Sequence, residues 1–325
     1  MSAILIDHVS RQFSQATAPA VDDVSLTVEQ GSFVTLLGPS GCGKTTLLKM
    51  INRLYEPTAG RIFVNGEDTA TVSPTHLRRH IGYVIQQTGL FPHMRVEDNI
   101  AAVPRLLGWE KARSDARVDA MLALVGLPVS YRSRFPRQLS GGEQQRVGVA
   151  RALAADPPIV LMDEPFGAID AINRVRLQDE LISIQTKLRK TILFVTHDVE
   201  EAFKLGDRVV IMRAGKIVQV DAPLALATAP ADDFVRELIG ADDMLRRLGM
   251  LPVSAAQLSP IGGAPHATQP SVRSSSNLRT ALSLLLQSGA SALTVVDEQG
   301  QPLGELTFAE IRTLVGQQET ATAAP

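Results

Sequence analysis

Apolar and polar positions partly alternate along ILIDHVSRQF, VDDVSLTVEQ and GRIFVNGED, with Gly, Asn or Asp at the turns. This period of two marks strands with one buried face. SFVTLL at 32–37, PIVLMDEP at 158–165 and TILFVTHD at 191–198 are instead nearly continuous apolar runs. Such runs predict strands covered on both faces, as in a parallel sheet sandwiched by helices. TTLLKMINRL follows the first run as a predicted helix. AINRVRLQDELISIQTKL joins the other two, with apolar spacing at Ile172, Val175, Leu181 and Ile184. Strand–helix–strand alternation implies an α/β fold with a mostly parallel sheet.

The texture changes twice. Residues 88–155 are helix-rich, hold no convincing strand and include the amphipathic RSDARVDAMLALVG, so they predict a helical subdomain inserted into an α/β domain spanning 1–240. Residues 241–270 are rich in Pro, Gly, Ala and Ser and predict a linker. Order returns over 271–315. Leu278, Ala281, Leu282, Leu285 and Leu286 share one helical face. ALTVVDEQGQPLGELT predicts two strands around a turn, FAEIRTLV a short helix, and 316–325 a frayed tail.

Composition narrows the picture. The 325 residues are 45% hydrophobic with a formal net charge of −2. No broad basic surface points to nucleic acid. The single cysteine, Cys42, excludes an internal disulfide and fits a reducing compartment. The N-terminus lacks a signal-peptide pattern, and no apolar run reaches the roughly 18 residues of a membrane span. Work at a membrane therefore implies a membrane-embedded partner.

The candidate chemistry lies at the ends of the buried runs. GPSGCGKT at 38–45 follows one predicted strand and opens a helix, the setting that makes G-x-x-x-x-G-K-[ST] a phosphate cradle. Its residues are Gly38, Pro39, Ser40, Gly41, Cys42, Gly43, Lys44 and Thr45, continuing into Thr46. Lys44 is placed for the β- and γ-phosphates and the Thr45 hydroxyl for Mg²⁺, while Cys42 takes a packing role. Asp163 ends a buried strand as a second Mg²⁺ ligand, and Glu164 is the candidate general base. His197 ends the next strand, within reach of a γ-phosphate and attacking water. A second anion site is harder to place. In QLSGGEQQRVGVARAL, Ser140 and Glu143 form a capping-box pattern, and Gly141 and Gly142 leave the backbone N–H groups bare.

GPSGCGKT, YVIQQ, LSGGEQQR, VLMDEP and VTHD, in that order, resemble the ATPase subunit of an ABC transporter over residues 1–240. The resemblance implies a P-loop ATPase fold with a mostly parallel core, an antiparallel β subdomain and an inserted helical subdomain. It also implies a head-to-tail dimer holding ATP between one subunit's P-loop and the other's signature helix. By position, Phe13 would stack on adenine and Gln86 would sense Mg²⁺, water and the transmembrane partner. Ser140, Gly141 and Gly142 would meet the γ-phosphate held by the other subunit. Asp170 of GAID, where Ile169 replaces the usual Leu, would contact across the dimer. The second anion site then belongs to a second copy of the chain.

A single cassette without membrane spans resembles a bacterial importer subunit, peripheral at the cytoplasmic face of the inner membrane. Such a subunit works with permease subunits and an extracytoplasmic binding protein. Residues 81–109 resemble importers of quaternary amines such as glycine betaine, choline and carnitine, placing Phe91, Pro92 and His93 near the permease's coupling helix. Residues 271–315 resemble one CBS motif that pairs with its twin; Glu310 stands where nucleotide-binding CBS motifs often carry Asp. Two alternatives stay open: an importer of another small solute (an amino acid, polyamine or sugar), and a soluble ATP-switched regulatory dimer.

Overall fold

The structure is a computed structural model describing residues 2–14, 16–86, 89–167, 169, 171–240, 248–260 and 270–316. Contacts divide the chain into two compact units, Met1–Val220 and Asp221–Pro325. The division falls ahead of the expected domain end at 240.

In the first unit, strands β1 (Ser2–Arg11), β2 (Val21–Glu29), β4 (Ala59–Val64) and β5 (Glu67–Asp68) form an antiparallel sheet in the order β2-β1-β4-β5. A six-stranded sheet has the order β10-β9-β3-β8-β7-β6. It contains β3 (Phe33–Leu37), β6 (Ile81–Val84), β7 (Ile159–Asp163), β8 (Thr191–Thr196), β9 (Arg208–Arg213) and β10 (Lys216–Asp221). From β9 to β6 every pairing is parallel. Alternate residues of the central strands enter different cores. Phe33, Val160, Met162 and Phe194 join the core under the helical subdomain. Val34, Leu36, Leu161, Leu193 and Val195 join the core shared with the antiparallel sheet and α1 (Lys44–Ile51). Burial on both faces is why these strands read as unbroken apolar runs.

Helices α2 (Pro74–Arg79), α3 (Val96–Leu106), α4 (Lys111–Leu124) and α5 (Gly141–Ala154) precede β7. Among the described residues between 89 and 155 there is no strand. Arg132, in a short 3-10 turn, bonds Glu97, Asp115 and Asp119 at 3.0, 3.0 and 2.9 Å, tying that turn to α3 and α4. Helix α6 (Ala171–Leu188) joins β7 to β8, and α7 (Val199–Leu205) joins β8 to β9. The inward stripe of α6 is Leu177, Leu181 and Ile184. Val175, expected to face inward, is 52% exposed. It lies two residues, more than half a turn, from Leu177, so the sequence phase was misread there.

The second unit contains α8 (Pro223–Thr228), α9 (Asp233–Ile239), β11 (Ser271–Arg273), α10 (Leu278–Ser288), β12 (Ala292–Val296), β13 (Pro302–Thr307) and α11 (Phe308–Gly316). Strand β12 pairs parallel with β11 and antiparallel with β13. Strand β11 escaped the sequence reading because its three residues hold one apolar side chain. Part of the expected linker is folded. Leu248, Leu251 and Val253 are buried, and Leu278 N–H donates to Leu251 O at 2.8 Å. Ser259 and Glu305 exchange backbone hydrogen bonds of 3.0 and 2.9 Å. Proline and glycine content concealed these anchoring apolar residues. Residues 241–247, 261–269 and 317–325 lie outside the described residues. Leu286, expected on the buried face of α10, is 72% exposed.

Candidate functional site

The phosphate loop begins where β3 ends. Pro39, Ser40 and Gly41 form its exposed tip, while Cys42, Gly43 and Lys44 are buried and Thr45 and Thr46 half-buried. Two glycines fix its path. A Cβ on Gly38 would meet Met212 O at 2.3 Å, and one on Gly43, at φ 109°, would meet Ala20 O at 2.3 Å. Any side chain at either position clashes with backbone. Cys42 packs into the neighbouring core with its Sγ 3.7 Å from Lys44 Nζ. Lys44 Nζ donates to Gly38 O at 2.6 Å and Pro39 O at 3.0 Å. The ammonium is thus held inside the curl of the loop, where phosphate oxygens would be stronger acceptors than these carbonyls.

Thr45 Oγ1 donates to Asp163 Oδ1 at 2.8 Å. Asp163 ends β7 and is buried, and that burial pushes its carboxyl above the ordinary aspartate value. A hydroxyl and a carboxylate this close, both hard oxygen donors, fit a Mg²⁺ ligand pair. Bound there, the ion would neutralise charge on the phosphate oxygens.

Topology assembles the rest. Strand β7 lies between β6 and β8, so residues just beyond their C-terminal ends are neighbours. Glu164, next after β7, has the left-handed φ of 43° and donates its N–H to Val195 O at 3.0 Å. That conformation is uncommon for a side-chain-bearing residue. Gln86, two residues past β6, donates Nε2–H to Glu164 Oε2 at 3.0 Å. His197, next after β8, has Nδ1 3.3 Å from the same oxygen. Gln86, Glu164 and His197 therefore converge at the crevice where open α/β sheets bind ligands. A carboxylate held by two side chains, beside a phosphate cradle and a metal pair, can orient and deprotonate water.

Ser140 caps α5. Its N–H and Oγ–H donate to Glu143 Oε2 at 2.7 and 2.9 Å, and its Oγ accepts from Glu143 N–H at 3.4 Å. Tyr131 Oη donates to Glu143 Oε1 at 2.8 Å. The Ser140 N–H bond, first among these, holds the Glu143 carboxyl below its ordinary value. A Cβ on Gly141 or Gly142 would meet nothing within 4 Å. Packing within the chain does not require these glycines.

Phe13 packs edge-on against Tyr55 at 5.4 Å, with the Arg11 guanidinium 4.6 Å from its ring centroid. Asp170 lies outside the described residues, whereas Gly167 and Ile169 of the same motif are described. Phe91, Pro92 and His93 are exposed. In the second unit, Glu310 bonds Ser259 Oγ and both the N–H and Oγ1–H of Thr307, so its carboxylate caps α11.

Two residues escaped sequence reasoning. Asn99 is fully buried on α3. Its Oδ1 accepts from Phe91 N–H at 2.8 Å, and its Nδ2 lies 3.2, 3.1 and 3.1 Å from Phe91 O, Met94 O and Arg95 O. A polar residue on the apolar face of a helix was the available signal. Arg174, near the start of α6, carried no comparable signal; its partners are distant in sequence or backbone atoms.

The parallel sheet, the strand–loop–helix cradle and the carboxylates beside it define a P-loop nucleotide-binding ATPase. The ABC transporter family profile matches residues 21–167. The chain is 47% identical over 319 residues to the osmoprotectant import ATP-binding protein OsmV of Salmonella typhimurium, covering 96% of this chain and 81% of that protein. It is 46% identical to the glycine betaine uptake system ATP-binding protein YehX of Escherichia coli, covering 95% and 98%. The choline transport ATP-binding protein OpuBA of Bacillus subtilis is 45% identical, with coverage of 91% and 76%. Among solved structures, the dimeric post-hydrolysis state of the ATP-binding cassette MJ0796, bound to ADP and Pi, is 30% identical with a TM-score of 0.61. It covers 67% of this chain and 98% of that one. The chain belongs to the ABC transporter family and is an ATPase of that class.

Proposed function

We propose that this chain is the ATP-hydrolysing subunit energising import of an osmoprotectant, such as glycine betaine or choline, through a separate transmembrane permease. The observation that carries the enzymatic part is the convergence of the Gln86 hydrogen bond and the His197 ring on one oxygen of Glu164 beside the cradle. The names of relatives at 45–47% identity support the solute class. No helix among the described residues is long and apolar enough to cross a membrane, in keeping with a separate permease.

Lys44 and the loop from Gly38 to Thr46 hold the phosphates of ATP, and Phe13 stacks on the adenine. Thr45, Asp163 and Gln86 take Mg²⁺. Glu164 removes a proton from the attacking water, which Gln86 and His197 help to orient. Ser140, Gly141 and Gly142 close on the γ-phosphate held by a second copy of the chain, and Asp170 contacts across that dimer. The exposed Phe91–His93 stretch receives the permease at the cytoplasmic face of the plasma membrane, and an extracytoplasmic binding protein delivers the solute. Residues 271–315 act as one CBS-like motif that pairs with its twin, with Glu310 committed to capping.

Two experiments test this. Glu164→Gln removes the base while keeping a neutral acceptor for Gln86. The variant is expected to bind ATP, lose hydrolysis by more than about a hundredfold and accumulate as a dimer in size-exclusion chromatography. Hydrolysis at the native rate refutes the role of Glu164. Uptake by the reconstituted transporter is expected for betaine or choline. Transport of spermidine, an amino acid or a sugar with no response to betaine or choline would refute the solute class.

A further inference from the structure

Behind Glu164 and His197, one side chain without a place in the reaction ties two loops together. Arg174 donates Nη2–H to Ile169 O at 3.1 Å and Nη1–H to Asp198 Oδ2 at 3.4 Å, and its Nε lies 3.8 Å from Glu201 Oε1. Ile169 belongs to the GAID loop that follows Glu164. Asp198 directly follows His197 and caps α7 through the N–H groups of Glu200 and Glu201, at 2.9 and 3.2 Å. Thr196, directly before His197, donates its hydroxyl to the buried Glu201 Oε2 at 2.7 Å and accepts from Asp198 N–H at 3.0 Å. Both neighbours of His197 are thus bound into a polar network whose cation is Arg174.

Three features separate this arrangement from ordinary surface pairing. First, a cation in the opening turns of a helix opposes the helix dipole, so Arg174 does not serve α6 itself. Second, Glu201 is a buried carboxylate, costly to hold without a charged partner. Third, Arg174 Nε is buried without a hydrogen bond, and a shift of about 0.8 Å would bring Glu201 to the usual N–O distance of about 3.0 Å. Arg174, Glu164, Gly167, His197 and Glu201 also line one polar cavity of about 30 Å³, which leaves room for such a shift. The guanidinium thus bridges the backbone at Ile169 to the turn carrying His197.

We propose that Arg174 is a positioning residue coupling the GAID loop to the His197 turn, so that seating of that loop against the second subunit aligns His197 on Glu164. The inference rests on the dimer reading above. Its test is steady-state ATP hydrolysis by the full-length chain carrying Arg174→Gln, Arg174→Lys, Asp198→Asn or Arg174→Gln with Asp198→Asn. Asparagine retains the cap on α7 while removing the charge facing Arg174.

Arg174→Gln is expected to lower kcat by about tenfold to a hundredfold, the scale of an ångström-sized misplacement, with KM for ATP within about twofold. Lysine keeps the charge without the fork and should recover part of kcat. The double variant should be no slower than the slower single variant. Native kcat in Arg174→Gln overturns the proposal, as do multiplicative losses in the double variant. A lysine variant no faster than glutamine, with both melting several degrees lower, also overturns it in favour of a purely structural role. If Glu164→Gln fails to trap an ATP-bound dimer, the dimer reading falls and takes this inference with it. If the dimer is trapped and Arg174→Gln keeps native kcat, only the coupling falls.

Discussion

Asn99→Ala removes the side chain that organises residues 91–95. Of the four backbone groups it engages, two keep other partners: Phe91 O accepts from Met94 N–H and Arg95 O from Asn99 N–H. Phe91 N–H and Met94 O lose their part-buried bonds to the fully buried Asn99 side chain. One orphaned donor and one orphaned acceptor, at about 1–3 kcal/mol each, give an expected loss of about 2–6 kcal/mol, with the part-buried setting favouring the lower end. Hydrogen exchange reads this directly, because Phe91 N–H donates to Asn99 itself. Its protection should fall by more than about tenfold, the equivalent of 1.4 kcal/mol. Asn99→Asp sharpens the test. One carboxylate oxygen can still accept from Phe91 N–H, but the other replaces a donor facing three carbonyl oxygens. Such a carboxyl is held in its protonated form, with a folded pKa above its unfolded value. Its stability should therefore fall as pH rises from about 4, most steeply between the unfolded and folded pKa values, and level off above the folded pKa. Native exchange at Phe91 in Asn99→Ala, or a pH-independent Asn99→Asp whose stability matches native protein at pH 8, would refute the reasoning.

The remaining expectations are briefer. Gly43→Ala forces a Cβ to 2.3 Å from Ala20 O at φ 109°; titration with a fluorescent ATP analogue should show binding weakened at least tenfold, and native affinity would contradict the cradle's geometry. Glu143 has a folded pKa below its unfolded value, so its stabilising share is present above about pH 4.3 and disappears as acid passes the folded pKa. Urea midpoints of Glu143→Gln should consequently change less than those of native protein between pH 5 and pH 3; parallel profiles would count against the assignment. Glu310→Ala should destabilise the second unit by about 1–2 kcal/mol through loss of the α11 cap and leave ATP hydrolysis unchanged. A fall in hydrolysis would assign Glu310 more than capping.

How legible each feature was depended on the range of the interactions behind it. The buried strands were plain because burial on both faces leaves Phe33–Leu37, Ile159–Asp163 and Thr191–Thr196 mostly apolar. Asp163, Glu164 and His197 could be placed because each sits at the end of such a run, and parallel order brings those ends together; Thr45 was placed by the glycine-rich motif that follows Phe33–Leu37. Val175 was misplaced because a helix covered by other elements follows the shape of its neighbours, and one apolar residue on the far face shifts the apparent phase. Residues 248–260 read as part of a 241–270 linker because their anchoring contacts go to Ser274, Ser276, Leu278 and Glu305, which composition does not register. Asn99 and Arg174 went unnoticed for a related reason. Their partners are mostly backbone carbonyls and capping carboxylates, whose positions are set by the tertiary fold.

The open space above Gly141 and Gly142 has an evolutionary corollary. Alanine at either helical position would encounter no neighbour and would reduce the freedom of the unfolded chain, a gain of up to about 1 kcal/mol per site. A population selected only for the durability of the isolated polypeptide would drift away from glycine there. Both glycines therefore leave that stability unused, which the dimer proposed above would explain by close approach of the second copy. Screens that rank variants by thermal resistance alone will therefore promote substitutions at the surface that the proposed dimer would need bare.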